Sequence, residues 1–194
     1  TMFPDNGANS GLHIGDLPDL SEFNAVYLSG YSPLDPLSRP GVLEMIAKIK
    51  QTGLPIYFDP ASVGGMMQVP LEEVKSWIRL MDVILLNEEE AIYLTGLSDV
   101  EAAIDRLLED CEVVVIKRGS HGAIGKARGS ILVSVPALPT EVIDTTGAGD
   151  SFAAGFIAHY ALTKNMQHGL EAGAAVAARC VAIVGARPRV GTVI

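Results

Sequence analysis

Two aspartates bracket a glycine pair in Asp144-Thr145-Thr146-Gly147-Ala148-Gly149-Asp150, and an apolar run from Phe152 to Leu162 follows at once. A polar turn that leads directly into an apolar segment reads as a loop feeding a helix N-terminus. The first amides of a helix have no internal partner, and the aligned peptide dipoles place partial positive charge there. Glycines at 147 and 149 allow an anion to approach the main chain closely. A carboxylate at Asp150 would repel that anion. Its chemistry suits a base that accepts the proton of an attacking hydroxyl.

Three further groups could take part. Asn87 and Glu90 stand three apart in Asn87-Glu88-Glu89-Glu90, directly after an apolar strand-like run. Asparagine caps helices well, and acidic residues in a first turn gain from the dipole, so capping alone accounts for all four residues. Lys117-Arg118-Gly119-Ser120-His121-Gly122 follows a run of Val and Ile, and its glycines let the backbone pass against a flat or charged ligand. Lys117 and Arg118 are paired cations beside this candidate site in an otherwise acidic chain. Asp59 ends the run Pro55-Ile56-Tyr57-Phe58, where open α/β sheets collect ligands, but it also precedes a proline and reads equally well as a turn residue.

Two common phosphate-binding patterns are excluded. No Gly, four residues, Gly-Lys-Ser/Thr run exists, and Phe152 occupies the place of the third glycine of a dinucleotide fingerprint.

The elements that must hold these groups alternate between strand and helix. Apolar runs at residues 25–29, 55–59, 82–86 and 113–117 read as buried strands. Helical periodicity fills the spaces between them: from Ser38-Arg39-Pro40 to Gly53, over 70–81, from Asn87 to Gly96, and from Ser98 to Asp110. Ser98 and Glu101 have the spacing of a capping box. Segments 122–126 and 131–135 read as a hairpin, and two last helices run over about 147–164 and 166–184. Residues 1–4 read as a strand end, 5–9 as a turn-rich loop, and 16–20 as a short helix or turn. The alternation predicts one α/β domain over 1–194, with a mostly parallel sheet covered by helices on both faces.

Composition narrows the partners. The 194 residues are 48% hydrophobic with a formal net charge of −9, which argues against nucleic acid or an anionic membrane surface. Cys111 and Cys180 form no CxxC and read as buried thiols in a reducing, cytoplasmic compartment. His13, His121, His159 and His168 lack metal-ligand spacing. No run is long enough to span a bilayer.

The 144–150 motif resembles the signature of the PfkB family of carbohydrate kinases, and the resemblance extends from about Gly7-Ala8-Asn9 to Gly185-Ala186. It implies a ribokinase-like fold and transfer of the γ-phosphate of ATP to a hydroxyl of a sugar or related alcohol. It implies Asp150 as general base, and an anion hole on the amides of Gly147, Ala148 and Gly149. It implies ATP contacts at Lys117, Gly119, Ser120 and Gly122, and Mg²⁺ held partly through water by Asn87 and Glu90. Asp144 and Thr146 match positions at a monovalent cation site, completed by carbonyls of 182–189. Arg189 departs from the small polar residue expected there, and its charge would compete with potassium. Asp59 and Asp144 are acceptor candidates. ATP and a sugar-like molecule are the implied partners, and a homodimer is compatible with the family. The N-terminal lid strands of the family are absent from the chain. A truncated, non-catalytic nucleotide-binding or interaction domain is therefore the alternative reading.

Overall fold

The computed structural model of the protein describes residues 10–188. The expectations for residues 1–9 and for Arg189 lie outside that range. Within the span expected as one domain, the chain packs as two compact units, Thr1–Glu112 and Val113–Ile194.

The first unit is built on three parallel strands: β1 (Val26–Ser29), β2 (Ile56–Asp59) and β3 (Val83–Asn87). Parallel neighbours need a crossover, and helices supply it. Helices α1 (Tyr31–Leu34) and α2 (Arg39–Thr52) join β1 to β2, and α3 (Val63–Met66) and α4 (Leu71–Ile78) join β2 to β3. Helices α5 (Glu88–Thr95) and α6 (Val100–Leu107) follow. All of β2 and the first four residues of β3 are buried, as continuous apolar runs in a covered parallel sheet should be. Helices α2 and α5 each stop at a glycine in the left-handed region, Gly53 at φ 76 and Gly96 at φ 74.

The short helices α1 and α3 have no clear sequence signal, because four residues show no periodicity. Tertiary bonds hold the first of them. Arg39 donates from Nε to the Pro33 carbonyl at 2.8 Å, pairs with Glu73 at 3.2 Å and lies over the Trp77 ring at 5.2 Å. The cap of α6 also differs from expectation. Asp99, not Ser98, accepts the amide of Ala102 at 2.8 Å, which moves the helix start one residue on.

The second unit is antiparallel. Strands β4 (Val113–Lys117), β5 (Ala123–Ala127) and β6 (Val133–Val135) pair in sequence order. Short connections dictate this, since a few residues can reverse a chain but cannot cross a sheet. The parallel pattern expected of the sheet thus describes the first unit, and the hairpins the second. Gly122 has φ 85, and a Cβ there would strike the Val135 carbonyl, so this position accepts only glycine.

Helices α7 (Ala148–Thr163) and α8 (Met166–Val181) form the rest of this unit. Their glycines let the backbones close. Gly173 lies under Phe152, Gly169 lies under Phe156, and a Cβ on Gly155 would be 2.6 Å from the Ala172 carbonyl oxygen. Phe152, Phe156 and Tyr160 are buried along α7, with the last two rings stacked at 4.9 Å. Cys111 and Cys180 are buried thiols, as their sequence context implies. Among the described residues, no helix is long and apolar enough to cross a membrane.

Gly155→Ala should therefore destabilise the protein by about 1–3 kcal/mol, the usual range for overpacking against atoms that cannot yield. Urea unfolding would measure this against Gly64→Ala, where a Cβ meets nothing within 4 Å and no loss is expected.

Candidate active site

The 144–150 motif forms a braced turn in the second unit. Gly147 caps α7 with φ 75, and a Cβ on it would overlap the Ala186 carbonyl. That glycine is required by its left-handed backbone and by the close pass of the chain after α8. The Asp144 carboxylate completes the brace. Its Oδ1 accepts the Thr146 amide at 2.9 Å, and its Oδ2 accepts the Gly185 amide at 3.0 Å. The amides of Ile143 and Asp144 donate to the Val181 carbonyl at 2.8 and 3.2 Å. The Cys180 thiol donates to the Thr146 carbonyl at 3.4 Å. The family resemblance brings residues 182–189 to Asp144 and Thr146 through their carbonyls; the bond from the Gly185 amide to the Asp144 carboxylate is not part of that expectation.

Among the three amides expected as an anion hole, the structure distinguishes one. Ala148 N–H is engaged by the Thr145 carbonyl at 3.2 Å. The amides of Gly149 and Asp150 find no acceptor among the described residues and stand at the N-terminus of a 16-residue helix. Lys117, the last residue of β4, brings its Nζ to 3.4 Å from where a Gly149 Cβ would be. Asp150 follows in the first turn and is exposed. Gly119, Ser120 and His121 form a 3₁₀ turn after β4, closed by the Arg118 amide on the Gly122 carbonyl at 2.8 Å.

The first unit carries Asn87, Glu90 and Asp59. Asn87 and Glu90 form a complete capping box, the role that asparagine and acidic residues at a helix start allow without any ligand. Asn87 Oδ1 accepts the Glu90 amide at 2.9 Å, and Glu90 Oε2 accepts the Asn87 amide at 2.9 Å. Asn87 Nδ2 donates to Glu90 Oε1 at 2.8 Å, and Glu90 is only 1% exposed. Asp59 is buried at the carboxyl end of β2, where its Oδ1 accepts the Ala61 amide at 3.0 Å. This is the turn geometry favoured by Asp before proline. It supports Ala61 at φ 74, a backbone that non-glycine residues seldom adopt. Asp35 has no part in the sequence reading, yet it is buried and accepts Ser10 Oγ at 2.7 Å and the Leu37 amide at 2.9 Å. Among the described residues, no cluster of His, Cys, Asp and Glu could hold a metal ion by itself.

The model of the pfkB family of carbohydrate kinases matches residues 3–190, and the chain belongs to that family. It is 34% identical over 149 residues to 2-dehydro-3-deoxygluconokinase of Escherichia coli (strain K12), covering 72% of this chain and 48% of the relative. It is 27% identical over 165 residues to cytidine kinase of Thermococcus kodakarensis, covering 82% and 57%. Among solved structures it is similar to a putative ribokinase II from E. coli in complex with ATP and Mg²⁺. The TM-score is 0.85, with 26% identity over 95% of this chain and 62% of that one. The α/β, ribokinase-like class implied by the sequence holds. The chain spans about half the length of the curated relatives it matches.

The Asp144 brace has a pH signature. The Thr146 and Gly185 amides, in that order, hold the Asp144 carboxyl below its usual range. A lowered folded-state pKa stabilises above the ordinary aspartate value of about 3.9, and the benefit is lost as pH falls through the lowered value. Asp144→Ala should lower the thermal midpoint at neutral pH, and the gap to the parent chain should narrow as pH is taken below that range. A gap that stays constant with pH would show that the charge on Asp144 does not support the turn.

Proposed function

We propose that this chain is part of an ATP-dependent kinase that transfers the γ-phosphate to a hydroxyl of a sugar or related alcohol. We read residues 1–194 as its ribokinase-like nucleotide-binding and catalytic domain, and the single family match across 3–190 supports that reading. The observation that carries the proposal is the first turn of α7. Two unengaged amides, the Lys117 ammonium and the exposed Asp150 carboxylate meet there in one unit.

The residues fit an anionic donor. The Gly149 and Asp150 amides lie in the first turn of α7, where the helix carries partial positive charge, and the Lys117 ammonium lies by Gly149, so a phosphoryl group there would be stabilised by both. Asn87 and Glu90 fit Mg²⁺ through water rather than by direct capture. The capping box engages both Glu90 oxygens, so the contact we propose with Mg²⁺ runs through water. Mg²⁺ would supply charge neutralisation on the phosphates. Asp144 holds the turn, so a monovalent cation would find main-chain oxygens rather than that carboxylate. Asp59 takes a turn role, and we assign it no acceptor contact.

Asp150 is the base in this mechanism. It accepts the proton of the acceptor hydroxyl as the oxygen attacks phosphorus. Its place in the first turn of α7 sets it beside the proposed anion site, and ADP leaves as the new P–O bond forms. Little covalent chemistry falls to the protein in such transfers, so positioning and charge stabilisation account for most of the rate. The segment 119–122 after β4 would lie by the nucleoside, with Gly119, Ser120 and Gly122 giving the close backbone pass. Names among the relatives include a sugar-acid kinase and a nucleoside kinase, which supports an acceptor with a free hydroxyl as the broad class.

Two substitutions test the roles. In the protein that contains this chain, Asp150→Asn should reduce turnover by about 10²–10⁴-fold and leave ATP affinity nearly unchanged, since the change is isosteric and removes only the base. Steady-state kinetics with sugars, sugar acids and nucleosides, beside ATP calorimetry, would separate the two effects. Near-parental turnover would remove Asp150 from the mechanism.

Glu90→Gln distinguishes the two uses of the capping box. An amide cannot accept both Asn87 donors, so helix α5 should lose about 0.5–2 kcal/mol. If Glu90 also orders the waters of Mg²⁺, the magnesium concentration for half-maximal rate should rise as well. A magnesium titration that overlays on the parent would leave Glu90 a cap and nothing more.

A further inference from the structure

The family resemblance places a monovalent cation on Asp144, Thr146 and the chain after α8. The oxygens of that turn already receive donors. The Asp144 carboxylate takes the Thr146 amide on Oδ1 at 2.9 Å and the Gly185 amide on Oδ2 at 3.0 Å. With the carboxylate engaged, an ion would be left main-chain oxygens, and two of these are engaged as well. The Thr146 carbonyl accepts the Cys180 thiol at 3.4 Å, and the Val181 carbonyl accepts the amides of Ile143 and Asp144. Donor hydrogens carry partial positive charge, so an alkali ion on the same oxygens would lie against like charge. The residues do not fit a resident alkali ion at this turn.

Cys180 is the one side chain of α8 that bonds to the turn in this set. It is fully buried and next to the last residue of the helix, and its neighbour Val181 is tied to the turn through its carbonyl. A buried thiol usually packs as a small apolar group and is a weak donor. Here it both fills the end of α8 and meets the residue before Gly147, which starts α7. We propose that the chain's own donors brace the 144–147 turn in place of an alkali cation, and that Cys180 is a positioning residue that acts on Asp150 through Thr146 and the start of α7. Only the effect on rate rests on the phosphoryl-transfer reading above. The brace itself is a property of the turn.

The test has a salt arm and a variant arm, both on the full chain. The thermal midpoint should be the same in KCl, NaCl and tetramethylammonium chloride at equal ionic strength, because an ion that bound the folded turn would raise it. A saturable rise with K⁺ alone would overturn the brace. Cys180→Ser and Cys180→Ala both lose the sulfur, and only serine keeps a donor. Hydrogen exchange at the Thr146 and Gly185 amides should quicken in Cys180→Ala and stay near the parent in Cys180→Ser. In the protein that contains this chain, turnover should fall about tenfold in Cys180→Ala, the scale of a small misplacement of a reacting group, and recover in Cys180→Ser. If Cys180 only packs, serine should do no better than alanine in either measurement, and that result would remove it as a positioning residue. A parent with no turnover on any acceptor would overturn the phosphoryl-transfer reading instead, and exchange and the salts would still decide the brace.

Discussion

The second unit depends on the contact between the 144–147 turn and the chain that follows α8. Asp144 reaches Thr146 with one oxygen and Gly185 with the other, and Gly147 passes directly against Ala186. Together with the two amides on Val181, these bonds fix where α7 begins. A helix start set one residue earlier or later would turn Asp150 by about 100° around the axis, given 3.6 residues per turn. The direction of the proposed base is therefore set by the Asp144 carboxylate and by Gly147, earlier in the same turn. The glycine-lined seam between α7 and α8 belongs to the same constraint, since α8 must lie close to deliver its C-terminal segment to the turn.

The capping box in the first unit shows how one arrangement can satisfy two demands. Asn87 and Glu90 neutralise each other's hydrogen-bonding needs and start α5 directly at the end of β3. A carboxylate buried to 1% exposure must be hydrogen-bonded to be tolerated, and the cap gives each of its oxygens a donor. A carboxylate held in one orientation is also what an ordered hydrated cation requires. The local stability of the helix and the rigidity of the proposed magnesium site thus come from the same bonds.

Glycines that look alike in the motif have different causes. At 147 the backbone conformation and the Ala186 carbonyl both demand glycine. At 149 neither does, and the neighbour is the end of a lysine side chain. Asp59 and Ala61 make a similar point in the first unit. The aspartate carboxylate at the end of β2 holds the next residues in a tight turn and supports an alanine at φ 74. A carboxylate at the end of a parallel strand need not face a ligand.

The sequence by itself determined the strands, the longer helices and the family. Those signals are local. Continuous Val, Ile and Leu runs mark β2, β3 and β4, helical spacing marks α2 and α4, and Gly53 and Gly96 mark helix ends. The Asp144 to Asp150 motif was legible for the same reason, because its residues adjoin. Tertiary structure decided what depends on residues far apart. It joined Gly185 to Asp144, set Lys117 beside Gly149 and engaged the Ala148 amide within its own turn. It held the four-residue α1 through Arg39, and it moved the α6 cap from Ser98 to Asp99. Periodicity reports which face of an element is apolar. It does not report which distant donor meets a given carboxylate, because that is fixed only when the intervening elements pack.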